Sequence, residues 1–254
     1  MAALTLALLD PPQIAHADGT ALVRARKELA LLAYLAVESR QEHSRDTLLG
    51  MFWPEATEEA ARNSLRVALA NLRAALGEAA RPYLLSTRHS VQVSAASDHT
   101  LDVAAFGALL AECRAHRHEH GALCAECVAR LAQAIALYRG DFLTGFALPD
   151  STSFEEWALI QREALHQQAL EALDTLAAYH DRQGDYAALA RAARRQLELE
   201  PWREQAHRQL MRALAALAQY ATCRQVLEAE LGVEPATPGH RSGGLAGAIG
   251  DRAR

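Results

Sequence analysis

Residues 44–77 read SRDTLLGMFWPEATEEAARNSLRVALANLRAALG. Two helices with clear start and stop signals lie in this stretch. Ser44 is a good N-cap for a short helix whose apolar set is Leu48, Leu49 and Phe52, and Pro54 stops it. Thr57 caps a longer helix, Glu58 and Glu59 sit where the helix dipole favours carboxylates, and Gly77 is its natural end. On a wheel of about 100° per residue, Ala61, Leu65, Leu69, Leu72 and Leu76 fall together and must face a core. Arg62, Arg66 and Arg73 flank that stripe, and Asn63, Val67, Ala70 and Ala74 occupy the far side. So small a face, carrying little acid, can approach a major groove. Arginine and asparagine pair with base edges or phosphates, and Val67 or Ala70 can touch a thymine methyl. The same pattern also fits the solvated face of an ordinary amphipathic helix.

The flanks give this helix a context. Leu4–Leu9 reads as a short strand interrupted by Pro11 and Pro12, with a turn at Asp18-Gly19 and a second strand at Ala21–Val23. A helix follows from about Arg26 to Glu38, with Leu29, Leu32, Ala33 and Ala36 on one face. Beyond Gly77, Tyr83–Ser86 and Val91–Ser94 read as the arms of a hairpin tipped by Thr87–Ser90. Helix, short helix, longer helix and hairpin is the order of a winged helix. Arg88 and His89 lie at the hairpin tip, where a wing meets the minor groove or phosphates.

From Leu101 the pattern turns wholly helical, with helices expected at about 102–115, 124–139, 153–182, 185–199 and 203–231. Residues 168–201 span 34 positions, the tetratricopeptide period, with Tyr179, Gly184, Tyr186, Ala190 and Pro201 at its signature places. One helix pair cannot bury its face alone, so neighbours must stack on it. The fold class is therefore mainly α: a winged helix with a small sheet over 1–97, then a tetratricopeptide-like helical domain over 98–235. The glycine-rich tail, 236–254, reads as disordered.

Composition narrows the function. Half of the 254 residues are hydrophobic and 22% are charged, so both parts can bury a core. No run of about 18 apolar residues exists to span a membrane, and Met1–Leu9 lacks the basic flank of a signal peptide. The expected location is the cytoplasm, where thiols stay reduced. The net charge is −5, and residues 1–98 carry ten Lys and Arg against eleven Asp and Glu. With no general basic field, any DNA site must come from local placement of arginines. No nucleophile–base pair, carboxylate dyad or GxxxxGK[ST] phosphate loop is present, so an enzyme is not expected and no cofactor is required.

One cluster stands apart. Residues 113–127 read CRAHRHEHGALCAEC, with Cys113-x2-His116 and Cys124-x2-Cys127 flanking His118 and His120. Two x2 pairs can offer four tetrahedral ligands to a structural zinc: Cys113, His116, Cys124 and Cys127. The alternative is a histidine-rich loop with two or three buried thiols. Cys223, isolated on a helix, reads as a small core residue.

ARKELALLAYLAVES at 25–39, the 44–77 stretch and YLLSTRHSVQVS at 83–94 resemble the N-terminal domain of antibiotic-regulatory-type activators, a winged helix of the OmpR/PhoB type. LDVAAF, ALYRGDFLTGF, LPDSTSFEEWALIQREAL, QGDYAALARAARRQLELEP and YATCRQVLEAELGVEP resemble the bacterial transcriptional activator domain of the same family. The resemblance implies that 57–76 is the recognition helix, with DNA-binding roles for Arg62, Asn63, Arg66, Asn71 and Arg73, although Asn71 lies off the groove-facing side of the wheel. It implies double-stranded DNA as partner, RNA polymerase as a target of the helical domain, and a homodimer on direct repeats. Trp157, Phe154 and Tyr138 read as core residues or as interface anchors. No receiver domain precedes the winged helix, so control by aspartyl phosphorylation is not indicated. Relatives often continue into a nucleotide-binding module, and they place a turn between their last two helices. HRQLMRALAALAQYATCRQVL at 207–227 has no such break, which implies either one fused helix or a different packing of the last repeat. The expected function is a sequence-specific DNA-binding activator; the alternative is a tetratricopeptide-type protein scaffold without specific DNA binding.

Overall fold

The computed structural model describes residues 4–16, 23, 25–77, 83–94, 98–117 and 123–235. It divides into two compact units, Met1–Ala169 and Leu170–Arg254. The tail expected to be disordered and the residues Ala21 and Leu22 lie outside the described residues, as do His118 and His120.

In the first unit, β1 (Leu4–Ala7) turns at Pro11-Pro12 and returns directly as β2 (Gln13–His16). The antiparallel partner of β1 is therefore this segment, which the sequence had not marked as a strand, with Leu6 opposite Ile14. The prolines end one strand and leave too few residues for anything but a tight return. On its other edge β1 pairs in parallel with β6 (His99–Leu101), so the first sheet runs β2-β1-β6. Three helices follow β2: α1 (Arg26–Val37), α2 (Arg45–Phe52) and α3 (Glu58–Leu76). The second sheet is β3 (His43–Ser44), β5 (Ser90–Val93) and β4 (Leu84–Ser86), in order β3-β5-β4 and antiparallel throughout.

The N-caps act as read. Ser44 Oγ accepts from the Thr47 N–H, Thr57 Oγ1 accepts from the Ala60 N–H, and Gly77 closes α3 at φ 56°. The stripe Ala61, Leu65, Leu69, Leu72 and Leu76 is buried, together with Ala68, against a core that includes Leu31, Leu32, Leu48 and Phe52.

The helical part of this unit consists of α4 (Asp102–Ala115), α5 (Ala125–Leu137) and the start of α6 (Thr152–Gln183). It shares one core with the winged helix. Phe154 stacks at 5.6 Å from Phe52 and 5.4 Å from Trp157, and Trp157 meets Tyr34 edge-on at 5.0 Å. Trp157 Nε1 donates to Glu38 at 2.9 Å, Lys27 pairs with Asp150 at 2.6 Å, and Ser151 Oγ donates to the Met51 carbonyl. Asp102 joins the two parts at the other end: its carboxylate accepts from the N–H groups of Leu8 and Leu9, which no strand partner satisfies. Tyr138 and Phe154 are each 1% exposed, so they are core residues of this unit, and Trp157 is half-buried among them.

The second unit holds the rest of α6, then α7 (Tyr186–Leu199) and α8 (Glu204–Leu231). Gly184 takes φ 71° at the turn, and Asp185 caps α7 by accepting from Ala188 N–H. Small residues allow the repeat to close: Ala177, Leu189, Ala190, Ala192 and Ala213 form its core, flanked by Tyr186 and Leu210. Arg203 bridges Asp174 and Glu200, and Arg212 pairs with Asp181 at 2.9 Å. The segment lacking a turn is one continuous 28-residue helix, the first of the two arrangements its sequence allows. Cys223 is exposed on that helix and is not a core residue, because only Ala206 and Ala213 of α8 are fully buried.

Phe154→Ala should cost roughly 3–5 kcal/mol in urea unfolding of the full chain, through lost burial and the cavity left behind. Because Phe52 belongs to the winged helix, a single cooperative transition for the first unit should shift as a whole; a winged-helix transition unmoved by the change would refute the shared core. Asp102→Ala should cost roughly 1–3 kcal/mol by orphaning the Leu8 and Leu9 donors, read in the same assay.

Candidate nucleic-acid interface

With its leucine stripe buried, α3 presents its opposite side outward. Arg62, Asn63, Arg66, Val67, Ala70, Arg73 and Ala74 are all exposed. Arg62 pairs with Glu58 one turn back, both side chains more than half exposed, and Arg66 Nη2 donates to Asn63 Oδ1 at 2.7 Å. An exposed i,i+4 pair contributes only a few tenths of a kcal/mol, so a phosphate can displace Glu58 at little cost. Asn71 points elsewhere. Its side-chain amide donates to Glu28 of α1 at 2.6 Å, in line with its position off the groove-facing side of the wheel.

The hairpin tip is held against α2. Arg45 N–H donates to the His89 carbonyl at 2.9 Å, and its guanidinium donates to the Thr87 carbonyl at 3.1 Å and to Ser86 Oγ at 2.9 Å. Thr87 Oγ1 accepts from the N–H groups of His89 and Ser90, and Ser90 Oγ donates to Glu42 at 2.9 Å. The tip is thus closed by short local bonds, while the side chains of Arg88 and His89 stay exposed.

These pieces enclose a cleft of about 520 Å³ lined by Arg45, Asp46, Leu49, Arg62, Leu65, Arg66, Arg88 and His89. Four guanidinium groups and an imidazole meet one carboxylate there, although residues 1–98 as a whole are slightly acidic. The structure thus brings Arg62 and Arg66 together with Arg88 and His89, leaves Asn63 and Arg73 on the same exposed helix, and turns Asn71 away. Sequence reasoning did not mark Arg45. The available signal was the Ser44 cap, since the residue after a cap begins the helix beside whatever precedes it, and here the adjoining β3 pairs with the hairpin.

The cysteine–histidine cluster lies apart from this face, where the end of α4 meets the start of α5. Ligand atoms of His116, Cys124 and Cys127 lie within 4.8 Å of one another. His116 Nδ1 is 3.1 Å from Cys127 Sγ and 3.3 Å from Cys124 Sγ, and the buried Cys113 Sγ donates to the Cys127 carbonyl at 3.5 Å. Cys124 is the N-cap of α5, its sulfur accepting from the Cys127 N–H. That hydrogen bond holds the Cys124 thiol below its ordinary range, whereas burial pushes Cys127 up to about 11.

Among the described residues no helix is long and apolar enough to cross a membrane. The bacterial transcriptional activator domain profile matches residues 101–240, more than half of the chain, and the profile for the C-terminal domain of transcriptional regulatory proteins matches residues 19–91. No curated protein sequence matches the chain significantly. Among solved structures, EmbR of Mycobacterium tuberculosis, determined with a low-affinity phosphopeptide, has a similar fold, with a TM-score of 0.59 at 23% identity. The likeness covers 93% of this chain and 63% of that one. With an activator domain directly behind a regulatory winged helix, the chain belongs to the bacterial transcriptional activator domain family, in its antibiotic-regulatory type of transcriptional regulator.

Proposed function

We propose that the protein regulates transcription by binding double-stranded DNA sequence-specifically through α3 and the wing, and that its helical part activates by contacting RNA polymerase. The observation that supports this most is the cleft in which Arg45, Arg62 and Arg66 face Arg88 and His89. A basic cleft on a nearly neutral domain is what local phosphate contact requires. Val67, 47% exposed, and Ala70 offer no bulk against base edges, so α3 can seat in a major groove. Arg66 is the base-reading candidate, since it lies midway along the exposed face; its contact with Asn63 orients the pair as a unit. Arg88 and His89 are phosphate or minor-groove contacts, because they sit on the exposed hairpin tip across the cleft from α3.

Activation then needs a second surface. The family of the helical domain is one of transcriptional activators, and a tetratricopeptide-like pair is a protein-binding architecture. A homodimer on direct repeats fits the same scheme. Cytoplasmic location follows from these roles.

Fragments selected from random DNA by the full chain should share a common motif. On the best of them, Arg66→Ala should cost on the order of 1–3 kcal/mol and relax specificity at one or two positions. Arg88→Ala should instead weaken binding to all sequences alike and reduce the log–log salt slope by about 1. If no motif emerges and binding is undetectable even at low salt, the chain acts as a protein scaffold and the DNA-binding reading fails.

A further inference from the structure

We propose that Cys113, His116, Cys124 and Cys127 bind one structural zinc ion that clips the end of α4 to the start of α5. The site is independent of the DNA-binding face. Its four donors come as two pairs from two elements: Cys113 and His116 at the end of α4, Cys124 and Cys127 at the N-terminus of α5. Three sulfurs and an imidazole nitrogen are the donor set that tetrahedral zinc prefers. Zinc bonds of about 2.0–2.3 Å at the tetrahedral angle set ligand atoms about 3.5–3.8 Å apart. His116, Cys124 and Cys127 already cluster on that scale, with nitrogen–sulfur separations of 3.1 and 3.3 Å. The buried Cys113 thiol, which donates to the Cys127 carbonyl at 3.5 Å, lies outside that group of three and would turn from the carbonyl to the ion as the fourth ligand.

The surroundings fit a thiolate-rich metal site. Three thiolates, a neutral imidazole and zinc leave a single net negative charge. The Arg130 guanidinium lies near the Cys127 sulfur, and it is itself steadied by Glu112 at 2.9 Å and Glu126 at 2.6 Å. The first-turn position of Cys127 and the cap position of Cys124 place both sulfurs in the positive field of the α5 N-terminus. Glu112 and Glu126 are engaged with Arg130, and four protein ligands leave no open coordination position, so the ion is structural and not hydrolytic. A disulfide explains the arrangement less well. Any pair it joined would leave the imidazole and a third thiol converging on the same point for no purpose.

The test uses the full chain purified without chelator under reducing conditions. Elemental analysis should find about one zinc per chain. The cobalt-substituted protein should show the intense near-ultraviolet thiolate charge-transfer band and the visible bands of tetrahedral cobalt. A thiol reagent should titrate one cysteine, the exposed Cys223, in the metal-loaded chain and all four after chelation. Cys223→Ser should keep the metal, and Cys124→Ser should lose most of it; should Cys124→Ser fail to fold, the thiol titration of the unmodified chain decides alone. Failure to retain zinc after reconstitution, cobalt bound without thiolate bands, or four thiols equally reactive before and after chelation would each overturn the proposal.

Discussion

Tyr34 and Phe52 of the winged helix pack against Phe154 and Trp157 of α6, and this aromatic contact seats the start of that helix on the winged helix. Aromatic rings bury large areas and hold preferred tilts, so a handful of them can set the orientation of two elements. The polar edge of the cluster is also occupied, since Trp157 donates to Glu38 and Gln161 shares the same carboxylate oxygen. A Trp N–H left without such an acceptor would weaken the seam, as buried donors are costly when unpaired.

The opposite flank is fastened by backbone. β6 extends the N-terminal sheet in parallel with β1, and Asp102, the first residue of α4, takes the N–H groups of Leu8 and Leu9. Burial outweighs the pull of those N–H donors and of Arg139 and holds the Asp102 carboxyl above its ordinary range. Leu9 and Asp10 also bridge to Phe142 in the loop after α5. The start of the activator domain therefore rides on the winged helix as part of one solid body. The face of α3 stays open as a consequence, because the core takes its leucine side and the helices of the activator domain attach through β1, α1 and α2. Built this way, the exposed face of α3 and the first helices of the activator domain hold fixed positions relative to each other within the first unit.

The wing shows the same economy. A two-residue strand, β3, and the single residue Arg45 hold the hairpin tip through one backbone and two side-chain hydrogen bonds. The result is a cationic cleft on a domain whose overall charge gives no hint of one. Local geometry, not net charge, concentrates the arginines.

Much of this was legible from residue order alone. The apolar stripe of α3, the Ser44 and Thr57 caps, the Gly77 stop, the hairpin and the tetratricopeptide repeat all follow from local rules, in which a side chain answers to neighbours three or four positions away. The paired x2 spacing of the cysteines and His116 was equally visible, since a helix end and a helix start bring such pairs together over a short loop. What escaped was non-local. β3 and β6 are two and three residues long, too short for any periodicity, and exist only because a partner strand supplies their hydrogen bonds. The return strand at Gln13–His16 was displaced in the reading by a stronger turn signal at Asp18-Gly19. Whether Phe154 and Trp157 were anchors for a partner or core of their own chain, and whether Arg62 and Arg66 would meet Arg88 and His89, depended on residues from about 25 to 120 positions away. Sequence determines which face of each segment must be hidden from water; only the assembled chain decides what hides it.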